Sequence, residues 1–118
     1  MQELGLPFQT AARLGVMLRS KQVSPVELVQ AYLDRIDQVD PKVRAYITVC
    51  REEALASARE AEAAIAQGRH LGPLHGVPIA VKDQYNTRGL RTTMGSRIYS
   101  DHVPEEDATV VLRLRQAG

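Results

Sequence analysis

The stretch Gly72-Pro-Leu-His-Gly-Val-Pro-Ile-Ala-Val-Lys-Asp83 decides how the rest of the chain is read. Gly72, Pro73, Gly76 and Pro78 punctuate a loop that runs into the apolar residues Val77 to Val81. A short run apolar on both faces is the pattern of a strand covered on both sides in an α/β sheet. The two-residue pleat places Lys82 on the face of Pro78 and Ala80, with Ile79 and Val81 opposite. The chain holds twelve arginines and three lysines, so each lysine is informative. Lys21 and Lys42 fall in polar turns, whereas Lys82 ends the apolar run. If both faces of that strand are covered, desolvation favours the neutral amine. An amine with a lowered pKa can act as a general base near neutral pH, which an arginine cannot do. The competing reading is an ion pair of Lys82 with Asp83 or with a distant carboxylate.

Outward from that run, the N-terminal side reads as helices. Leu14, Met17 and Leu18 share a face between Thr10, a cap candidate, and Arg19. Ser24-Pro25-Val26-Glu27 is a capping box with proline at the first helical position. Val29, Tyr32, Leu33, Ile36 and Val39 continue that helix, and Asp40-Pro41 predicts its stop. Ala45 to Cys50, rich in β-branched and aromatic residues, is a strand candidate. An alanine-rich helix follows from Arg51 to Gln67, with Gly68 as its stop and a thin face of Leu55, Ala58, Glu62 and Ile65 suited to close packing.

On the C-terminal side, residues 84–104 read as loop with short extended pieces near Arg91 to Met94. Asp107 is the expected cap of a last helix carrying Val110, Val111 and Leu114. Helices alternating with buried strands predict an α/β fold class. The chain divides into a helical part, 10–68, and a strand–loop–helix part, 69–118.

Composition narrows the function. Fifteen Lys+Arg against fourteen Asp+Glu leave a formal charge of +1, which argues against a nucleic-acid grip or an electrostatic membrane anchor. Apolar residues at 44% and charged ones at 25% are ordinary for a globular domain and argue against disorder. The single Cys50 cannot form an internal disulfide. No apolar run nears the roughly 18 residues of a membrane span, and no secretory signal is visible. A cytoplasmic location is expected.

Three stretches in order carry a resemblance to a known family: Gly72 to Asp83, Thr87-Arg-Gly-Leu-Arg-Thr-Thr-Met-Gly-Ser96, and Val103-Pro-Glu-Glu-Asp-Ala-Thr-Val-Val111. Upstream, Ser24-Pro-Val-Glu-Leu28, Tyr32-Leu-Asp-Arg-Ile36 and Ala45-Tyr-Ile-Thr-Val49 add to it. Together they resemble the amidase signature family over nearly the whole chain. The resemblance implies a mixed central sheet flanked by helices, of which residues 1–118 would be the N-terminal helices and first strands of a single domain. It also implies a Ser–cis-Ser–Lys triad that hydrolyses a carboxamide, with Lys82 as the matching lysine and no metal or organic cofactor. In the family both serines and the oxyanion loop follow the matched region, so the isolated chain is expected to be inactive. The partner expected is a small-molecule amide, with neither nucleic acid nor membrane, and a homo-oligomer is possible. A second reading within the family is the A subunit of a glutamyl-tRNA(Gln) amidotransferase, a glutaminase for which tRNA would be a partner; Gln84-Tyr85-Asn86 looks more like a stand-alone amidase. The reading from outside enzymology is a non-catalytic binding or assembly module.

Other chemistry-bearing residues are weaker candidates. Ser24 is explained as a cap, Ser57 lies in a helix, and Ser20 and Ser100 carry no motif. Ser96 follows a glycine but matches a different segment of the family pattern, and a turn role is expected of it. His70, His75 and His102 lack metal-ligand spacing, and Cys50 is expected to be buried and inert. Arg88, Arg91 and Arg97 are expected to be solvated, and Asp83 is a candidate for orienting its neighbours.

Overall fold

The computed structural model describes residues 5–118. Its local starts follow the side chains that make them. Thr10 precedes helix α1 (Ala11–Arg19), and its hydroxyl accepts the N–H of Arg13 at 3.2 Å. At the start of α2 (Pro25–Val43) the capping box is complete: Ser24 Oγ accepts the Glu27 N–H at 3.1 Å, and Glu27 Oε2 accepts the Ser24 N–H at 2.8 Å. Helix α3 (Arg51–Ala66) ends at Gly68, whose φ of +76° allows the Arg69 N–H to reach the Ala64 carbonyl at 2.9 Å. Helix α4 (Thr109–Gln116) closes the order, and single 3₁₀ turns lie at Leu6–Phe8 and Arg97–Tyr99.

Two small cores hold α1, α2 and α3 together. Leu14 and Leu18 of α1, Val23, and Leu28 of α2 form the first, with Leu6, Met17, Tyr32 and Val77 packed against it. Val29 and Leu33 of α2 meet Ala58 of α3 in the second, flanked by Val26, Ala54 and Leu55. The thin alanine face of α3 therefore does pack closely, on α2. Val77 is the join between the helices and the motif-bearing segment. Gly15 makes a second join: a Cβ there would lie 2.3 Å from the Pro73 carbonyl oxygen.

Three sequence expectations are corrected. Pro41 does not stop α2, which runs to Val43. A proline in a last turn forfeits one backbone bond, and the chain reverses only at Arg44, in the left-handed region at φ +50°. There the Asp40 carboxylate accepts the N–H groups of Ala45 and Tyr46 at 2.7 and 3.2 Å, which fixes the exit. Asp107 does not cap α4; Ala108 occupies that position, and the Asp107 carboxylate is bonded elsewhere.

The third correction concerns the strands. Ala45 to Cys50 and Val77 to Asp83 run through the structure without forming strands, and no strand occurs among the described residues. A strand exists only where a neighbouring strand accepts and donates its backbone bonds, which an apolar pattern cannot supply by itself. On one face of the expected central strand Ile79 and Val81 are 47% and 40% exposed, and on the other Ala80 and Lys82 are exposed, so neither face is covered. The accessible surface of 8359 Å² compares with about 6,300 Å² for a self-contained protein of 13.0 kDa.

Candidate active site

Lys82 stands at the end of the extended run, just before a turn closed by the Tyr85 N–H on the Lys82 carbonyl at 3.1 Å. Its side chain is exposed and reaches a shallow cleft of about 140 Å³ lined by Ile47, Lys82, Asp83, Gln84, Met94 and Gly95. The desolvation expected of a lysine between two covered faces is not realised among the described residues, because those faces are open. The competing ion pair with Asp83 is not formed either: the Asp83 carboxylate is committed to the other side of the cleft.

That commitment is extensive. Asp83 Oδ1 accepts the Thr93 N–H at 2.8 Å, and Oδ2 accepts the Thr93 hydroxyl and, at 3.3 Å, the Gly95 N–H. The Asp83 carbonyl accepts the Met94 N–H at 2.8 Å. Burial by itself would push the Asp83 carboxyl up. The Thr93 hydroxyl, the N–H groups of Thr93 and Gly95, and the charge of Arg91 outweigh it and hold the group below its ordinary value.

The segment that Asp83 grips is a tight reversal. The Ser96 N–H reaches the Thr93 carbonyl at 2.9 Å, and the two central residues, Met94 and Gly95, have φ of +57° and +67°. Positive φ at both central positions is the type I′ pattern. Gly95 takes it freely, whereas an L-residue such as Met94 is disfavoured there by about 1–2 kcal/mol. Bonds from a single residue, Asp83, to all three residues from Thr93 to Gly95 offset that cost. Thr92 and Thr93 are both buried, so the reversal rests on a packed base.

The remaining loop is tied to α4. Backbone bonds Thr92 N–H to His102 O, Gly89 N–H to Pro104 O and Ala108 N–H to Asn86 O, at 2.9, 3.0 and 2.7 Å, align 86–92 with 102–108. Asp107 accepts the Arg88 N–H at 2.7 Å and pairs with Arg115 Nε at 2.9 Å, which takes its carboxylate away from the helix start. At the other end of the motif, the Gly76 N–H bonds the Gly118 carbonyl at 2.7 Å. His75, buried beneath this join, accepts the Leu71 N–H on Nδ1 at 3.0 Å. Burial and the neighbouring His70, 5.5 Å away between ring centres, push its pKa down.

The serines are accounted for locally. Ser96 accepts the Ile98 N–H at 3.2 Å as a turn residue, Ser20 donates to the Met17 carbonyl, Ser24 is the cap, and Ser57 is exposed on α3. None of them lines the cleft of Lys82. Among the described residues no group of three His, Cys, Asp or Glu could hold a metal ion. Cys50 is half-buried, and burial together with Glu53 pushes its thiol up, away from reactivity. Arg91 is exposed, as expected, and its guanidinium also donates to the Ser100 carbonyl and, at 3.3 Å, to the Thr48 hydroxyl. The residue that sequence reasoning missed is Thr93. Its only signal is its place directly before Met94-Gly95, where a tight reversal needs an anchor.

The model of the Amidase family matches residues 27–118 of this chain. The A subunit of the glutamyl-tRNA(Gln) amidotransferase of Moorella thermoacetica is 50% identical over 113 residues, and that of Carboxydothermus hydrogenoformans is 45% identical over the same length. Both alignments cover 96% of this chain and 23% of the relative. A solved structure from work on a vestigial protein complex and the evolutionary origins of an s-triazine catabolic enzyme superposes with a TM-score of 0.88 at 29% identity, covering 93% of this chain and 24% of that one. The chain belongs to the amidase family. It spans about a quarter of the length of the curated relatives it matches. No helix among the described residues is long and apolar enough to cross a membrane.

Proposed function

We propose that this chain is the N-terminal part of a single amidase domain and supplies Lys82 as the general base of amide hydrolysis. The observation that supports this best is the placement of Lys82: it lines a cleft, and its neighbouring carboxylate is turned to Thr93 and Gly95 instead of to the ammonium. A carboxylate paired with the amine would hold it protonated and unfit as a base. In the complete protein the exposed run of Ile79 and Val81 would join a sheet, and the cover would strip water from Lys82.

In that hydrolysis neutral Lys82 Nζ takes a proton, relayed through a bridging serine, from the hydroxyl of a second serine. The freed oxygen attacks the amide carbonyl carbon, backbone N–H groups stabilise the oxyanion, and the C–N bond breaks as the leaving nitrogen takes the proton back. Water then attacks the acyl ester, giving a carboxylate and restoring the serine. Both serines and the oxyanion loop would come from sequence beyond Gly118, and the 118-residue chain alone would be inactive. The location would be cytoplasmic.

The test is Lys82→Ala in the full-length protein. Loss of the base should slow sulfonylation by phenylmethylsulfonyl fluoride by roughly 10²–10⁴-fold. Lys82→Arg should fail equally, because the guanidinium does not deprotonate. Labelling at the unmodified rate in either variant sinks the proposal. A second reading, favoured by the names of the relatives at 45% and 50% identity, is the glutaminase component of a glutamyl-tRNA(Gln) amidotransferase. Glutamine hydrolysis that depends on co-purifying subunits would select it; hydrolysis of simple carboxamides by the protein alone would select a stand-alone amidase.

A further inference from the structure

The Asp83 side chain sits immediately after the proposed base yet makes no bond to it. Its two oxygens are spent on the Thr93 hydroxyl and on the N–H groups of Thr93 and Gly95, and its carbonyl on the N–H of Met94. Residues 83, 94 and 95 also line the cleft that Lys82 enters. One residue thereby couples the two walls of the cleft: the extended run that carries Lys82 and the Met94-Gly95 reversal opposite. The Thr93 hydroxyl is central to this coupling, since it donates to Asp83 and also accepts the Gly95 N–H at 3.2 Å.

The partners here hold a backbone that resists its own conformation, with a methionine at φ +57°. Strained backbone persists only where its surroundings over-determine it, and such places gather at functional sites. The Asp83 oxygens are turned to Thr93 and Gly95, and no ion pair with Lys82 is formed.

We propose that Asp83 is a positioning residue: through Thr93 and Gly95 it locks the Lys82 run to the Met94-Gly95 reversal, setting where the lysine amine meets the substrate and keeping its own carboxylate off that amine. The inference rests on Lys82 being the base. Asp83 touches no reacting atom. It acts on the reaction through the position of its neighbour, where a displacement of about 1 Å can cost 10²-fold in rate.

The experiment uses the full-length protein and phenylmethylsulfonyl fluoride as the probe, with the limiting rate of serine sulfonylation separated from half-saturation, and melting temperature recorded in parallel. Thr93→Val keeps the shape of the side chain and removes the hydroxyl; Thr93→Ser keeps the hydroxyl. Thr93→Val should lower the limiting rate about tenfold or more with half-saturation changed less than about threefold, and Thr93→Ser should restore most of it. Asp83→Ala should lower the rate about 10²-fold, and Asp83→Asn, which still accepts the Thr93 N–H, should fall between. If Asp83→Ala does not fold, the Thr93 pair decides. A lowered melting temperature with an unchanged limiting rate in Thr93→Val overturns the proposal and makes the network purely structural. Full labelling in Lys82→Ala is a different result, and it removes the base itself. Loss in Lys82→Ala with no loss in Thr93→Val leaves the base standing and removes only the positioning role.

Discussion

The helical part up to Ala66 and the motif-bearing part after Gly68 solve the burial problem differently. Helices α1, α2 and α3 cover their own apolar faces: Leu14, Leu18 and Leu28 are essentially inaccessible. In the second part, Pro104 and Val111 are the buried aliphatic side chains among the described residues, while Leu71, Ile79, Val81 and Ile98 stay exposed. That part is held by hydrogen bonds to two carboxylates, Asp83 and Asp107, and by backbone bonds between distant loops. The contrast shows that one stretch of a chain can bury a core of its own while the stretch bearing the candidate site is held by hydrogen bonds with most of its aliphatic side chains open.

The contrast can be broken most directly by paired truncations. Leu28→Ala, at a site with no exposure, should cost the 118-residue chain about 2–5 kcal/mol in urea denaturation. Ile79→Ala, nearly half exposed, should stay within about 0.5 kcal/mol. In the full-length protein the Ile79 cost should climb into the range of a buried residue; equal costs in the short chain would erase the distinction between the parts.

The join between them is the next target. Gly15→Ala would push a Cβ to 2.3 Å from the Pro73 carbonyl, and a backbone atom cannot swing aside as a side chain can. A loss of about 1–3 kcal/mol is expected, read by urea denaturation, with Leu74 and His75 the first residues to lose amide protection. A neutral result would mean that residues 73–77 are not docked on α1.

The smallest effect is a pH response of the same join. Burial lowers the pKa of His75 from its ordinary 6.5, so the unfolded chain binds the proton more readily than the folded one. The stability from neutral His75 is fully present above pH 6.5 and is lost as pH falls through that value toward the folded pKa. Protonation at Nδ1 also ends its acceptance of the Leu71 N–H. Protection of the Leu71 amide should therefore fall on acidification in the wild type and be flat in His75→Gln. An identical response in the two would remove His75 as the cause.

Legibility followed the range of the interaction. Thr10, the Ser24–Glu27 box and Gly68 could be read from the chain because a cap satisfies groups within about one helical turn. Asp107 could not, since Arg88 and Arg115, both beyond its own turn, claim its carboxylate. Lys82 stood out by its apolar context and its family resemblance, whereas Thr93 acquires meaning only when the loop brings it ten residues back to Asp83.

Sequence was enough for the starts of α1 and α2 with their caps, the stop of α3 at Gly68, membership of the family and the lysine that stands out, because each depends on neighbours along the chain or on a pattern of residues in order. Only the tertiary structure shows that Val77 to Asp83 is no strand among these residues and that Asp83 faces Thr93 and Gly95 rather than Lys82. Each of those depends on which distant backbone or side chain arrives to complete a hydrogen bond, and a carboxylate or a strand edge can be satisfied by only a few partners at once.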